Sequence, residues 1–258
     1  MGSLFIERGR KPGLLVSAFN YLLVVASLIA FFWLSLSRIE YALDFTIIGD
    51  YTKRLGDGFL LTIKLSAASL ALSLVIGILG ALGYSSKILP LRYLCRIYVT
   101  FIRGTPLITQ IYLFYYIVST AWGINSKFLA GVIILSIFEG AYISEIIRGS
   151  LLSLSASQLE AARAVGFTRR QTARYVILPQ LIARTLPALT GQFASLIKDS
   201  SLLSVVAVIE ITQTVREITS INFRLFEFYI ALAGLYILLT LPISLLSQRF
   251  ERKFKYEN

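Results

Sequence analysis

The sequence contains no histidine and a single cysteine, Cys95. Those two scarcities exclude an internal disulfide, a histidine-ligated metal site and a histidine general base. Cys95 is expected to serve as a small apolar residue at a helix start. Acidic residues are also few, with 14 Asp and Glu against 25 Lys and Arg, for a formal charge of +11. There is no GxxxxGK(S/T) phosphate loop, so the chain is not expected to hydrolyse a nucleotide itself. No nucleophile and base stand at a useful spacing. No enzymatic activity and no cofactor are therefore expected of this chain. Apolar residues are abundant instead. They make up 56% of the 258 residues, with a mean hydropathy of +0.74, against roughly 45–50% in a soluble domain. They fall in blocks of about twenty, the length of a helix that crosses a bilayer. The expected fold class is an all-α membrane protein.

Six spans are expected, at about Leu14–Leu36, Phe59–Tyr84, Ile97–Val118, Phe128–Gly149, Leu181–Ile209 and Phe228–Leu246. The fifth is read as interrupted by Pro187, Gly191 and the charged pair Lys198 and Asp199. No cleavable signal peptide is expected, because the first apolar run is too long and no small-residue cleavage site follows it. Lys and Arg divide unevenly between the two sets of flanks, seventeen against six. The richer set includes Arg8, Arg10 and Lys11, the loop after the fourth span, and Arg249 to Lys255. By the positive-inside rule both termini lie in the cytoplasm. The basic charge is thus topology, and no basic face with interleaved aromatics forms for nucleic acid. Membrane lipid is the expected surrounding.

The longest inside connection, about Ser150–Gln180, is polar and basic in a chain that is otherwise mostly oil. It contains "QLEAARAVGFTRRQTARYVILPQ". Ser155 or Ser157 can cap a helix, with Glu160 in its first turn, where the dipole favours an acid. Gly166 suits a helix C-terminus. Thr168 can cap a second helix that stops at Pro179. The tip, Ala164–Phe167, is small and apolar, with Phe167 protruding and Arg163, Arg169 and Arg170 around it. Such a knob suits a protein partner. An interfacial amphipathic helix drawn to anionic lipid accounts for the same charges.

The spacing goes further. Glu160, Ala161, Ala162, Gly166, Val176, Leu178 and Pro179 closely resemble the EAA motif of permease subunits of ABC importers, with Val176 in place of Ile as the one departure. "FIRGTPLITQIYLFYY" (Phe101–Tyr116), "AYISEIIRGSL" (Ala141–Leu151) and "LIKDSSLLSVVAVIEIT" (Leu196–Thr212) are similar to the polar amino acid permeases. The resemblance spans Gly56–Gln248. It implies a type I importer core of five helices over 56–250, preceded by a tail, an extra helix and an outside loop over 1–55, with a cytoplasmic tail over 251–258. It implies four partners: a second permease subunit of the same or a paralogous kind, a cytoplasmic ATPase dimer that holds the ATP and magnesium, an extracytoplasmic solute-binding protein, and a polar amino acid as substrate. The family imports histidine, arginine, lysine, ornithine, glutamate, glutamine, cystine or opines. The location implied is the bacterial cytoplasmic membrane. Glu160, Ala161, Ala162, Gly166, Phe167, Arg169 and Arg170 would form the coupling helix seated on the ATPase.

Charges inside spans are expensive and mark pathways. Lys64 is close enough to its helix end to snorkel outward. Glu139, Glu145, Lys198 and Asp199 are the deeper ones. Glu139 and Glu145 are both candidate partners for Lys198, and Glu145 also has Arg148 one turn on. Paired charges that only lock helices together are one reading. In the resembled family the position of Glu139 is commonly small and apolar, so Glu139, with Tyr142 one turn away, is a candidate ligand for a positive group of the substrate. Gln110 and Gln192 are further pore-lining candidates. In Arg103–Pro106, Thr105 is expected to cap the third span with Pro106 at its first position, either as a plain helix entry or as a turn that packs on the coupling loop. Outside, Glu210, Arg216, Glu217, Arg224 and Glu227 alternate in sign. They read either as a solvated face or, by the resemblance, as a gate facing the binding protein. A secondary transporter or channel working without ATP is the alternative function, but nothing in that class requires the EAA loop.

Overall fold

The computed structural model describes residues 13–39 and 41–254. The flanking charges Arg8, Arg10, Lys11 and Lys255 lie outside that range. The chain divides into two units, one ending at Phe45 and one starting at Thr46. The first unit is built on α1, Leu14–Ser37, which is mostly apolar and buries no side chain.

In the second unit every described element is helical. A 3-10 turn, Phe45–Tyr51, leads into α2, Thr52–Tyr84. Then come α3, Leu89–Gly104, and α4, Leu107–Tyr112, which runs on as a π turn over Leu113–Ser119. The long α5 is Lys127–Leu152. The polar connection forms α6, Ala156–Ala164, and the single turn α7, Arg169–Gln171. A π segment, Thr172–Ile177, joins α7 to α8, Leu178–Asp199. A 3-10 turn, Ser200–Val206, precedes α9, Ile211–Asn222, and α10, Leu225–Phe254. Among the described residues, four helical stretches are long and apolar enough to cross a membrane: Leu14–Ser37, Phe45–Tyr84, Lys127–Leu152 and Leu225–Phe250.

The central contact is α2 against α5, and it follows from residue size. One face of α2 carries Gly58, Thr62, Ser66, Ser69, Ser73, Gly77, Gly80 and Gly83, all buried. Small residues at helical spacing let two backbones approach closely where lipid offers no hydrophobic drive between helices. The fit is reciprocal. A Cβ on Gly77 would land on Ile143, and one on Gly140 would sit 2.6 Å from the Cγ2 of Ile76. Cys95 is buried against Gly83 in the second turn of α3, as a small apolar residue.

Two expected spans are built differently. The third is not one helix, because α3 ends at Gly104 and Thr105 is extended (φ −124°, ψ 147°). Pro106 disfavours a helical residue before it. The Thr105 hydroxyl therefore does not cap α4; it turns back to the carbonyl of Phe101 at 2.9 Å. The fifth is not interrupted at Pro187 or Gly191, since α8 runs through both. Hydroxyls of Thr185 and Thr190 bond to carbonyls one turn back, and Ser247 of α10 donates to the Pro187 carbonyl at 3.0 Å. Local hydroxyls and neighbouring helices make such prolines tolerable in membrane helices. The helix ends at Asp199, and Ala207 in the left-handed region (φ 55°) turns the chain toward α9.

Candidate functional site

The polar connection forms a helical hairpin. The Gly166 N–H donates to the Arg163 carbonyl at 2.9 Å and the Phe167 N–H to the Ala162 carbonyl at 3.0 Å, with Gly166 at φ 79°. These are the paired bonds of a Schellman ending. Nothing lies within 4 Å of a Cβ built on Gly166, so its backbone angle, not crowding, requires glycine. Thr168 then caps α7 reciprocally: its hydroxyl accepts from the Gln171 N–H at 3.3 Å, and its N–H donates to Gln171 Oε1 at 2.8 Å. Glu160 falls in the second turn of α6 rather than the first, because the helix begins at Ala156. Ser155 holds the cap position but its hydroxyl is bonded to that of Ser157 at 2.7 Å. The second helix does not stop at Pro179. The widened π segment before it shifts the hydrogen-bond ladder, and Pro179 sits in the first turn of α8, where a missing N–H costs least.

The outcome is an exposed turn on a stiff stem. Ala162 is buried, while Glu160, Ala161, Val165, Gly166, Arg169 and Arg170 are exposed. Val165 is 70% and Phe167 38% exposed. Phe167 protrudes less than expected, since its ring leans toward Tyr175 with centroids 6.4 Å apart. Arg184, at the foot of α8, donates to the carbonyl and hydroxyl of Ser153, where α5 ends. That guanidinium ties the first turns of α8 to the end of α5, the two helices between which the hairpin is strung. No local pattern in the sequence points to this contact, because the partner of Arg184 lies on the far side of the loop.

The intramembrane residues fall into two groups. Glu139 is completely buried in the middle of α5. Its Oε2 accepts from Gln192 Nε2 of α8 at 2.7 Å, and its Oε1 has no donor. The Asp199 carboxyl of α8 lies close enough for the two acids to repel each other. Gln192 and Asp199 are half-buried, so the acid pair is approached from the α8 side. Nearer the loop, Glu145 is held by Arg148, with Nε to Oε2 at 2.8 Å, and by Arg103 at 3.5 Å. The Arg103 guanidinium also stands 5.6 Å from the Tyr142 ring. Tyr142 therefore belongs with this inner group, not with Glu139. The Arg103–Pro106 turn packs on α5. Lys198 pairs with neither glutamate and is exposed on the surface of α8, as Lys64 is on α2. Gln110 is buried and fully engaged: its Nε2 donates to the carbonyls of Ile102 (2.7 Å) and Thr105 (3.1 Å) and to the Thr105 hydroxyl (2.7 Å). It staples the break between α3 and α4.

At the other end, Glu210 and Glu227 are buried, so the alternating charges do not form a uniformly solvated face. The Glu210 carboxylate accepts from the Thr212 and Gln213 N–H groups, each at 2.8 Å, and from the Tyr236 hydroxyl at 2.9 Å. Burial raises its pKa above the ordinary value, against the pull of those donors. Arg54 of α2 pairs with Glu217 of α9 at 2.9 Å.

Residues 73–256 match the family model described as "binding-protein-dependent transport system inner membrane component". The chain belongs to that family. This inner membrane component is 36% identical to the probable glutamine ABC transporter permease protein GlnM of Bacillus subtilis over 82% of its own length and 100% of the relative. It is equally similar, at 36%, to the glutamine transport system permease protein GlnP of Escherichia coli, covering 98% of that protein. Among solved structures it superposes on an amino acid ABC transporter crystallised with histidines, with TM-score 0.76, 36% identity, and coverage of 83% of this component and 100% of that chain. It shares its fold with a chain of the MetNI methionine ABC transporter in an inward-facing state, with TM-score 0.61 at 18% identity, covering 83% of this component and 100% of that chain.

Proposed function

We propose that the chain is a permease subunit of an ATP-driven importer of polar amino acids. It pairs with a second permease subunit, is fed by a solute-binding protein outside and is driven by a cytoplasmic ATPase dimer that carries the ATP and magnesium. In this reading α3 with α4, and α8, complete six spans, with both termini in the cytoplasm. The hairpin 156–180 is the coupling element. The observation that carries the reading is the exposed Schellman turn at Gly166, rimmed by arginines and continuous through the π segment with α8. A push on that turn is delivered to a spanning helix as a rigid-body movement. The amino acid names printed for the relatives support the substrate class.

Glu139 is read as a seat for a positive group of the substrate. A fully buried carboxylate oxygen without a donor is costly, and a second carboxyl beside it adds repulsion. An ammonium or guanidinium group arriving from the Gln192–Asp199 side relieves both.

The coupling role is tested with the chain and its ATPase co-reconstituted. Gly166→Asp adds a side chain and a negative charge at the contact, in a left-handed turn that aspartate adopts less readily than glycine. Loss of ATPase binding and of uptake, with the chain still folded in the membrane, is expected. Undiminished assembly and uptake would remove the hairpin from the mechanism.

A further inference from the structure

The loop-bearing end of the second unit carries a cluster that coupling does not use. Tyr84 closes α2, and two guanidinium groups stand over its ring. Arg96 of α3 and Arg148 of α5 each lie 5.1 Å from the centroid. Like charges that share one ring repel unless something negative joins them. The one acid at these helix ends is Glu145, and Arg148 and Arg103 already hold it. Arg92 is fixed nearby through Nε to the Ser86 carbonyl at 2.8 Å, and Lys87 is exposed on the same turn. Five cations and one acid leave a net charge of +4. The cluster borders an apolar surface, since Leu89 and Tyr93, beside Arg92 and Arg96 on α3, are each 54% exposed and Ile97 is 67% exposed. Cations at the edge of an apolar belt have the layout of a phosphate headgroup with its acyl chains alongside.

We propose that this cluster is a seat for the phosphate of an anionic membrane lipid. The headgroup lies among Arg96, Arg92 and Lys87, and the acyl chains run along the exposed face of α3. Arg148 stays engaged with Glu145 and holds the Tyr84 ring. The leaflet, the one on the side of the coupling hairpin, rests on the topology given under Proposed function; the seat itself does not. An ATPase contact would use the hairpin tip, whereas the Tyr84 cluster faces an apolar flank, so lipid is the occupant that the surroundings favour.

The test places the full-length chain in nanodiscs of equal phosphatidylglycerol and phosphatidylcholine, releases it into mild detergent and counts retained lipids by native mass spectrometry. At least one phosphatidylglycerol per chain is expected to remain, without phosphatidylcholine. Arg96→Gln and Lys87→Gln are each expected to lower its retention about fivefold, the worth of one cation near an anionic membrane surface. Lys87 is on an exposed turn, so its variant keeps the packing even if Arg96→Gln does not. Equal retention of the two lipids, or retention unchanged in both variants, would overturn the proposal. Displacement by millimolar inorganic phosphate would also overturn it, in favour of a soluble anion. If Arg96→Gln weakens ATPase binding while lipid retention holds, the cluster is a protein contact and the lipid seat is wrong. The lipid-retention readout itself needs no ATP, ATPase or substrate, so its failure leaves the importer reading standing.

Discussion

At the scale of single residues, two side chains have roles that follow from their surroundings. Glu139 is expected to govern which amino acids pass. Glu139→Gln keeps the shape and the Gln192 contact but removes the charge. It is expected to reduce uptake of a cationic amino acid by about thirtyfold or more, from the lower end of the 2–5 kcal/mol typical of losing one partner of a buried charged contact. Unchanged specificity together with unchanged binding-protein-stimulated ATP hydrolysis would dismiss it as a ligand. Glu210 has a structural task, capping α9 with both carboxylate oxygens. Glu210→Ala is expected to cost about 1–2 kcal/mol, as N-cap losses do, read as a lower melting temperature of the purified chain. Because burial holds its folded pKa above the unfolded value, its neutral form contributes stability that is present at low pH. That contribution is lost as pH rises through the raised pKa, and Glu210→Gln is expected to abolish this dependence. A melting temperature indifferent to pH around Glu210 would argue against the raised value.

At the scale of elements, the α2–α5 contact depends on glycine. Gly77→Val would drive two methyl groups into Ile143, and overpacking of that kind costs about 1–3 kcal/mol. Thermal unfolding in detergent is the measurement, with Gly49→Val, where nothing lies within 4 Å, as a neutral control. This contact was only partly visible in the sequence. The small residues of α2 are spaced at helical intervals, but Ile143 belongs to another helix and no local pattern names it. The hairpin was more legible, because a left-handed glycine, a Thr–Gln capping pair and an apolar tip all act within a few residues of one another. What local reasoning missed there is the continuity past Pro179, which depends on a π segment without a sequence signature. The third and fifth spans, one broken and the other continuous past its proline, follow the same division. Pro106 bent the chain as a proline does, but the staple from Gln110 is read only once the two helix ends meet. Pro187 was overridden by hydroxyls and by Ser247 from a distant helix.

At the scale of the whole molecule, the apolar blocks and the EAA spacing carried the identification, since both are properties of the chain rather than of its packing. The pairings of Glu145 with Arg103, Glu139 with Gln192 and Arg184 with Ser153 join residues far apart in sequence, and only the fold brings them together. They place a rigid hairpin at one end, a buried acid pair midway along α5 and a capped α9 at the other. That order suits a machine that is pushed from one side and opens a path on the other. The central claim is that energy enters through a partner ATPase. The most direct measurement is amino acid uptake by proteoliposomes that contain the chain, its ATPase and its binding protein, with and without ATP on the hairpin side. Uptake against a gradient that requires both ATP and the ATPase is the expected result. Concentrative uptake by the chain alone, without ATP, would contradict the account.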